Sequence, residues 1–520
     1  MRVFRIVGVS LALAGLVHGQ DISGPRLRAH VKFLASDLLE GRGVGTRGGE
    51  LAEQYIATQL QLLGAQPAGE NGTYLQKVPL VGIQPLPSAN LRFGNQDLRW
   101  LEEFVGTNQT QKESSAIDAE AIFVGHGISA PEWGWDDYKG VDVKGKVVVL
   151  FTGEPPSTDP TFFDGRALTY YGRWTYKYEE ATRRGAAGAI IVHTTPTASY
   201  GWDVVKSSWG REDMAVKLEP GAHALSFAGW ITQPIGDKLF SSQGKTAEQM
   251  LTLADTKGFQ PVPLNVRFQG TFPTKIRTVE SNNVIGIIPG SDAALKAEAV
   301  VFSAHWDHLG VGTPVNGDRI HNGAVDNATG CAMVLEMARA WQNLNPKPRR
   351  SALFLFVTAE ENGLRGSEYF GRHPTVSLDK LAVNLNYDAF YPFGRTTDVV
   401  VTGAERTSIW ALVQHTAQRF RLSIKPDPRP EAGHYFRSDH FSLAKVGVPA
   451  FSINGGDNFA GKPEGFGAKV FGDYNSKHYH QPSDEYSESW DMAGMEEMAK
   501  FGFTLGLDVA NSPKLPARLK

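Results

Sequence analysis

The sequence predicts an α/β protein with a mostly parallel or mixed central sheet flanked by helices. From Asn283 onward, short apolar runs that suit buried strands alternate with amphipathic segments that suit helices. Polar clusters follow several of these runs directly, and the carboxyl ends of parallel strands are where such sheets bind their ligands. The predicted strands are 284–288, 299–304, 352–357 and 381–385, and the predicted helices are 25–40, 48–63, 328–341 and 492–507.

The length of the chain indicates more than one domain. With 520 residues, two or three units are expected. Residues 117–275 are β-rich, with strand-like runs at 119–124, 146–151 and 189–193, and contain no cluster of metal ligands. We therefore expect residues 117–275 to be a domain inserted into a larger one, which residues 20–116 and 276–520 would form together.

The first 19 residues have the pattern of a secretory signal peptide. Arg2 and Arg5 precede an apolar stretch, and Val17-His18-Gly19 resembles a small-residue cleavage site. A membrane anchor is the alternative, although the apolar run is shorter than the roughly 20 residues that a spanning helix needs. Because Cys331 is the only cysteine, no intramolecular disulfide can form. An exported chain of this kind suggests a bacterial protein of the periplasm or the medium, with no membrane span in its mature form.

Composition and common motifs exclude several classes of function. The formal net charge is −3 at pH 7 and there is no long basic run, so nucleic-acid binding has little support. The motifs H-E-x-x-H and G-x-S-x-G and the phosphate-binding loop of nucleotide hydrolases are absent from the sequence. The sequence is therefore still compatible with a hydrolase whose catalytic groups are arranged differently from those in these motifs.

Five polar clusters in the C-terminal half carry candidate metal ligands. Two histidines and three carboxylates suit a pair of zinc ions, with one further glutamate left as a base. Taken alone, Asp326 could simply cap the helix that follows it, and Glu360-Glu361 could lie in a solvated turn. A cation beside Glu361 would explain the adjacent carboxylates and leave Glu360 free to move a proton. The clusters are His305-Trp306-Asp307, Asp326-Asn327, Glu360-Glu361, Asn386-Tyr387-Asp388 and Tyr479-His480.

Together these motifs resemble the di-zinc aminopeptidases of metallopeptidase family twenty-eight, in the form that carries a protease-associated (PA) domain. The resemblance covers nearly the whole mature chain. It implies a zinc-exopeptidase fold, an inserted PA domain and peptide substrates with a free N-terminus. The segments that carry it include HVKFLASD (30–37), LEGR (39–42), VIGIIPG (284–290) and SAHWDH (303–308).

The same resemblance implies a role for each polar residue. Glu360 would be the general base and later the general acid, and Tyr479 would help to hold the oxyanion. Asp307 would orient His305 by accepting a hydrogen bond from its second ring nitrogen. The implied ligands of two zinc ions per chain are His305 and Asp388 for one ion, Glu361 and His480 for the other, and Asp326 as a bridge between them.

Further residues are implied to lie close to this site. His308 would be a structural neighbour of the ligands, and Ser438-Asp439-His440 would lie near the substrate pocket. The peptide bond between Asp326 and Asn327 would be cis.

Two other functions remain compatible with the sequence. A carboxypeptidase on the same fold would need arginines that grip a terminal carboxylate, and Arg365, Arg395 and Arg437 are candidates. A receptor-like relative that kept the fold but lost its metals would show gaps in the ligand set, and no ligand position is missing here.

Overall fold

The computed structural model describes residues 22–427 and 429–519. The expected signal peptide at residues 1–19 lies outside the described residues. Within the described part of the chain, none of the helices has the length and apolarity needed to cross a bilayer. The α-helices are α1 (Gly24–Leu34), α2 (Arg47–Leu62), α3 (Trp174–Arg183), α4 (Thr195–Ala198), α5 (Trp202–Trp209), α6 (Gln233–Phe240), α7 (Ala247–Ala254), α8 (Thr329–Gln342), α9 (Arg365–Arg372), α10 (Trp410–Phe420), α11 (His440–Lys445), α12 (Phe466–Lys477) and α13 (Ala493–Asn511).

The strands form one large sheet and three small ones. In chain order they are β1 (Gln66–Pro67), β2 (Leu75–Pro85), β3 (Asn90–Phe93), β4 (Gln96–Leu98), β5 (Phe104–Thr107), β6 (Ser114–Phe123), β7 (Ser129–Ala130), β8 (Trp135–Asp136), β9 (Val147–Leu150), β10 (Gly188–Val192), β11 (Asp213–Val216), β12 (Phe227–Ile231), β13 (Val262–Ile288), β14 (Ala299–His305), β15 (Gly310–Val315), β16 (Asp318–His321), β17 (Ser351–Val357), β18 (Leu381–Asn386), β19 (Asp398–Val400), β20 (Ser423–Lys425), β21 (Ala450–Ser452) and β22 (Asn454–Gly455).

The C-terminal half is built on the order β21-β18-β14-β17-β13. Strands β21, β18, β14 and β17 run parallel to one another, while β13 is antiparallel to β17. Alternate residues of β14 enter two different cores, Val300 and Phe302 on one face and Val301 on the other. Helices α1, α2, α8 and α13 cover the first face, and α9 and α11 cover the second. The predicted α/β fold with a mixed central sheet between helices is confirmed.

A second set of cores belongs to the β-rich region. There the strands β6, β9, β10 and β12 run parallel, with β5 antiparallel at the far edge. The residues packed into the larger of its cores extend from Ala89 to Phe272. Strands β3 to β5 therefore pack with this region, although they precede residue 117. We propose that residues 89–272, called the module below, form the inserted domain.

Strand β13 joins the module to the larger sheet. Its first part pairs with β6 in the module, and its last part pairs with β2 and β17 beside the central strands. Polar residues alternate with apolar ones along most of its length, so only the continuous apolar run 284–288 was predicted from the sequence. Because this one strand runs through both parts of the large sheet, the peptide backbone connects the module directly to the central strands.

Candidate active site

The first group of polar side chains gathers at the carboxyl ends of β14 and β18. His305 ends β14 and is buried. Its Nε2 lies 3.1 Å from Oδ1 of Asp388, which follows β18, and 3.2 Å from Oδ1 of Asp326, which precedes α8. These three residues place one donor atom each within 4.8 Å of one another. They are the three residues expected around one metal ion.

A second group lies on the other side of Asp326. His480 Nε2 is 3.0 Å from Oε2 of Glu361 and 3.4 Å from Oδ2 of Asp326. His308 Nδ1 is 2.6 Å from the other oxygen of Glu361. Donor atoms of His308, Asp326 and Glu361 also fall within 4.8 Å of one another. The structure thus brings the predicted ligands His480 and Glu361 together, and it adds His308 as a second histidine at the same carboxylate.

The neighbouring residues Glu360 and Glu361 have different electrostatic environments. Burial raises the pKa of Glu360, and the charges of Asp388 and Glu361 add to this effect. Burial and the Asp326 charge would also raise the pKa of Glu361, but His308 and His480 outweigh them and lower it to about 2. Glu360 Oε2 is 4.0 Å from His305 Nε2, and no described side chain donates a hydrogen bond to its carboxylate. Glu360 therefore remains available for proton transfer.

Buried hydrogen bonds hold the turn that carries Asp326. The Asp484 carboxylate accepts hydrogen bonds from the backbone N–H of Val325 (3.0 Å) and of Asp326 (3.1 Å). Asn327 donates to the Tyr387 carbonyl at 2.9 Å, which ties this turn to the end of β18. The peptide bond between Asp326 and Asn327 is cis, so that prediction is confirmed.

Asp307 acts differently from the expectation. His305 Nδ1 lies 3.2 Å from the backbone carbonyl of Asp307 but 3.8 Å from its carboxylate. The carboxylate instead accepts hydrogen bonds from the backbone N–H groups of Glu360 (3.1 Å) and Glu361 (3.4 Å). Asp307 thus orients the ring through its backbone and holds both glutamates with its side chain.

Arg42 stabilises the backbone around the site, and the sequence analysis assigned it no role. Its guanidinium is buried and donates to the carbonyl oxygens of Trp306 (2.8 Å), Leu34 (2.6 Å), Asn322 (2.6 Å) and Gly323 (2.8 Å). The segment LEGR, quoted above for its resemblance, was the available signal. Asp484 was also missed, because an acidic residue in a loop has many ordinary roles.

Two further predicted residues lie at the edge of the cluster. Tyr479 is 46% exposed, and its ring stacks on His480 with centroids 3.8 Å apart. Burial of its hydroxyl, followed by the charges of Asp326 and Glu361, raises the pKa of Tyr479, so the phenol stays protonated at neutral pH. Ser438 donates a hydrogen bond to Oδ2 of Asp388 at 2.5 Å. The Ser438 contact agrees with the expected position of residues 438–440 beside the site.

The chemistry of these donors fits zinc. Imidazole nitrogens and carboxylate oxygens are ordinary zinc ligands. His480 Nε2 is buried and makes no hydrogen bond, although two carboxylates lie close to it. His308 Nε2 also lacks a partner. A buried nitrogen without a hydrogen bond, facing several carboxylates, is the arrangement that a bound cation would satisfy.

The three arginines considered for a carboxypeptidase occupy different environments. Arg365 donates to the Met214 carbonyl at 2.8 Å and lies 3.5 Å from Glu368. Arg395 is exposed and lies near Glu497, which its charge affects. Arg437 directly precedes Ser438 and has no ion pair among the described residues. Of the three, only Arg437 is both close to the candidate site and unpaired in the described part of the chain.

Comparison with known proteins identifies the C-terminal region. Residues 283–502 match the family model described as Peptidase family M28. Over 95 residues the chain is 37% identical to a vacuolar membrane protease of Candida dubliniensis, a match that covers 18% of the chain and 9% of that protein. A vacuolar membrane protease of Verticillium alfalfae is 31% identical over 86 residues, covering 16% of the chain and 8% of that protein. The match therefore spans less than a tenth of these two relatives.

These relatives contradict the expected location. The sequence suggested a bacterial protein of the periplasm or the medium, whereas the curated proteins that match are vacuolar membrane proteases of fungi. The expectation rested on the first 19 residues and on the single cysteine, and neither feature distinguishes these cell compartments strongly.

A solved structure agrees with the fold. The aminopeptidase from Aneurinibacillus sp. strain AM-1 aligns with 96% of this chain and 96% of its own, at a TM-score of 0.51 and 19% identity. At that identity the alignment shows a shared fold. The residues matched by the family model include His305, Asp326, Glu361, Asp388 and His480. Residues 283–502 are therefore the part of the chain that matches Peptidase family M28.

Proposed function

We propose that this protein is a di-zinc aminopeptidase that removes N-terminal residues from peptides. The observation that carries the proposal is the placement of Asp326 between two groups of donors. One of its oxygens faces His305 and Asp388, and the other faces His480 and Glu361. A carboxylate shared in this way is the arrangement that a pair of metal ions requires.

His305, Asp388 and Asp326 would hold one zinc, and Asp326, Glu361 and His480 would hold the other. When bound, the ions would supply Lewis acidity, which lowers the pKa of a water molecule and polarises the substrate carbonyl. The Glu360 carboxylate accepts the proton of the attacking water and then donates it to the leaving amine. The protonated Tyr479 hydroxyl donates a hydrogen bond to the carbonyl oxygen as negative charge develops there.

The charge of the site supports the choice of peptide end. Four carboxylates, Asp326, Glu360, Glu361 and Asp388, converge around two histidines. With Asp326, Glu361 and Asp388 as ligands, Glu360 would keep a carboxylate outside the ligand set, and this carboxylate could attract a positively charged α-ammonium group. A free N-terminus therefore fits the site better than a C-terminus does.

A mixed pool of peptides with free and with acetylated N-termini tests this proposal. After incubation with the purified, zinc-loaded protein, mass spectrometry should show stepwise loss of residues from free N-termini and no change in the acetylated peptides. The reason is that acetylation removes the charge that the carboxylates would bind. Loss of residues from C-termini, or equal cleavage of both sets, would contradict an aminopeptidase.

A further inference from the structure

Two arginines near the candidate site have no acidic partner. Arg173 immediately precedes α3 in the module. Arg437 lies outside the module, directly before Ser438. Arg173 Nε is buried and makes no hydrogen bond. Within the described residues, neither guanidinium forms an ion pair or a side-chain hydrogen bond. Arg437 is exposed, so it is the Arg173 charge, with its buried Nε, that is costly to leave unpaired and calls for a physical reason.

The segments that carry the two arginines pack together, since the Tyr170 ring, three residues before Arg173, lies 5.8 Å from the ring of Phe436, which directly precedes Arg437. Burial first, and then the neighbouring Arg437 charge, lower the pKa of Arg173 to about 10. The Tyr200 hydroxyl lies within electrostatic reach of both arginines. The Asp427 charge acts on Arg437, but Asp427 accepts a hydrogen bond from the Arg429 backbone and lies 3.4 Å from His434. Within the described residues, no ion pair therefore neutralises either guanidinium group.

The pair is also close to the reacting groups of the candidate site. Ser438, the residue after Arg437, donates a hydrogen bond to Asp388 at 2.5 Å. The Arg437 charge interacts with the hydroxyl of Tyr479, whose ring stacks on His480. Arg437 is thus the residue next to a side chain that contacts a proposed zinc ligand.

Further contacts hold the segment of the module that carries Arg173 against the segment that carries Arg437. The backbone N–H of Leu168 donates to the Pro430 carbonyl at 3.0 Å. The Tyr170 ring packs on Phe441 with centroids 4.6 Å apart. Lys445 Nζ lies 2.8 Å from a Glu179 oxygen, on the same helix that Arg173 precedes. A packed interface therefore joins the two segments that carry the arginines.

We infer that Arg173 and Arg437 form a subsite for a carboxylate of the substrate, next to the scissile bond. The inference rests on the proposed peptidase function and adds a preference to it. Planar guanidinium groups bind carboxylates through paired hydrogen bonds, so two of them suit one carboxylate. The acidic cluster would bind the ammonium end of a peptide and the arginine pair its anionic end. The carboxylate comes either from the C-terminus of a very short peptide or from an acidic side chain after the scissile bond.

Matched peptides distinguish these two sources. Ala-Ala is compared with Ala-Ala-amide for the terminal carboxylate, and Ala-Asp-Ala-amide with Ala-Asn-Ala-amide for the side chain. For at least one pair, kcat/KM of the wild-type holoenzyme should be about tenfold or more higher for the carboxylate member. Arg173→Gln and Arg437→Gln should remove this preference while changing kcat/KM for the neutral peptides by less than about threefold. Arg437→Lys should restore part of the preference because it keeps the charge.

Arg267→Gln is the matched control, since it removes the same charge from the module at an exposed pair with Asp118. It should keep the full preference. Equal loss of activity towards acidic and neutral peptides in the Arg173 and Arg437 variants would overturn the inference. Lack of any preference in the wild-type protein would overturn it as well.

A binding measurement separates this inference from the proposed function. If the wild-type protein cleaves none of the four peptides, the proposed function fails. Calorimetry with N-acetyl-alanine and its amide then decides the inference by itself. Tighter binding of the acid to the wild type than to Arg173→Gln or Arg437→Gln is the expected result. Equal binding to all three proteins would overturn the subsite, and equal melting temperatures verify that the variants are folded.

Discussion

Glu360→Gln should lower kcat by about 100-fold or more while the protein stays folded and keeps its zinc. Glutamine has nearly the same size as glutamate, but its amide cannot accept a proton from water. Glu360 lies among the ligand candidates without a hydrogen bond from any described side chain, and its backbone N–H is held by Asp307. The measurement is kcat on a free-N-terminal peptide, together with zinc content and melting temperature.

The adjacent Glu361→Gln variant provides the sharpest control. Because Glu361 contacts both His308 and His480, its substitution should lower zinc content, whereas Glu360→Gln should not. Glu248→Gln, at an exposed position in the module, should change neither quantity. Wild-type turnover in a fully zinc-loaded Glu360→Gln protein would show that another group is the base.

Arg42→Met should lower the free energy of unfolding by about 3 kcal/mol. Four buried carbonyl oxygens would lose a charged hydrogen-bond donor, and the methionine offers none in return. Removing a buried charge recovers some desolvation free energy, but four unmade hydrogen bonds cost more. The measurement is the midpoint and slope of the urea unfolding curve, with tryptophan fluorescence as the signal.

Arg277→Met is the matched control for this prediction. Arg277 forms a partly exposed pair with Glu212, so its loss should cost less than about 1 kcal/mol. Arg42→Met should also weaken zinc binding by about tenfold or more, because Arg42 holds the backbone next to His305 and Asp326. Equal unfolding midpoints for the two variants would mean that the buried guanidinium contributes little to stability.

The sequence predicted the central strands and the gathering of the polar clusters at their ends. Apolar runs such as 352–357 are continuous because both faces of the strand are buried, which makes them easy to recognise. His305, Asp388 and Glu361 all lie within four residues of the end of such a run. Since parallel strands end at one edge of the sheet, their proximity follows from the fold.

Other features could not be predicted because their causes are distant in sequence. The expected helix 25–40 ends at Leu34, and the chain then forms a tight turn in which Glu40 and Gly41 have positive φ. That turn directs the Arg42 guanidinium towards backbone carbonyls such as that of Trp306, which is 264 residues away in the sequence. Similarly, β13 continues for 27 residues because it pairs with strands of both sheets, which its alternating composition does not reveal.

The role of Asp307 shows the limit of reasoning from spacing. A carboxylate two residues after a histidine can reach its ring, and this was the expectation. The backbone carbonyl of the same residue lies closer, at 3.2 Å, and the carboxylate satisfies two N–H groups of the Glu360 turn instead. Both arrangements have the same sequence, and the position of the neighbouring strand β17 decides between them.

Anomalous scattering at the zinc absorption edge, measured on crystals of the zinc-loaded protein, tests the central claim most directly. We expect two peaks in the anomalous map, one among His305, Asp326 and Asp388 and the other among Asp326, Glu361 and His480. The same map decides whether His308 or His480 provides the second histidine. A single peak, or peaks away from Asp326, would contradict a two-metal site and the mechanism built on it.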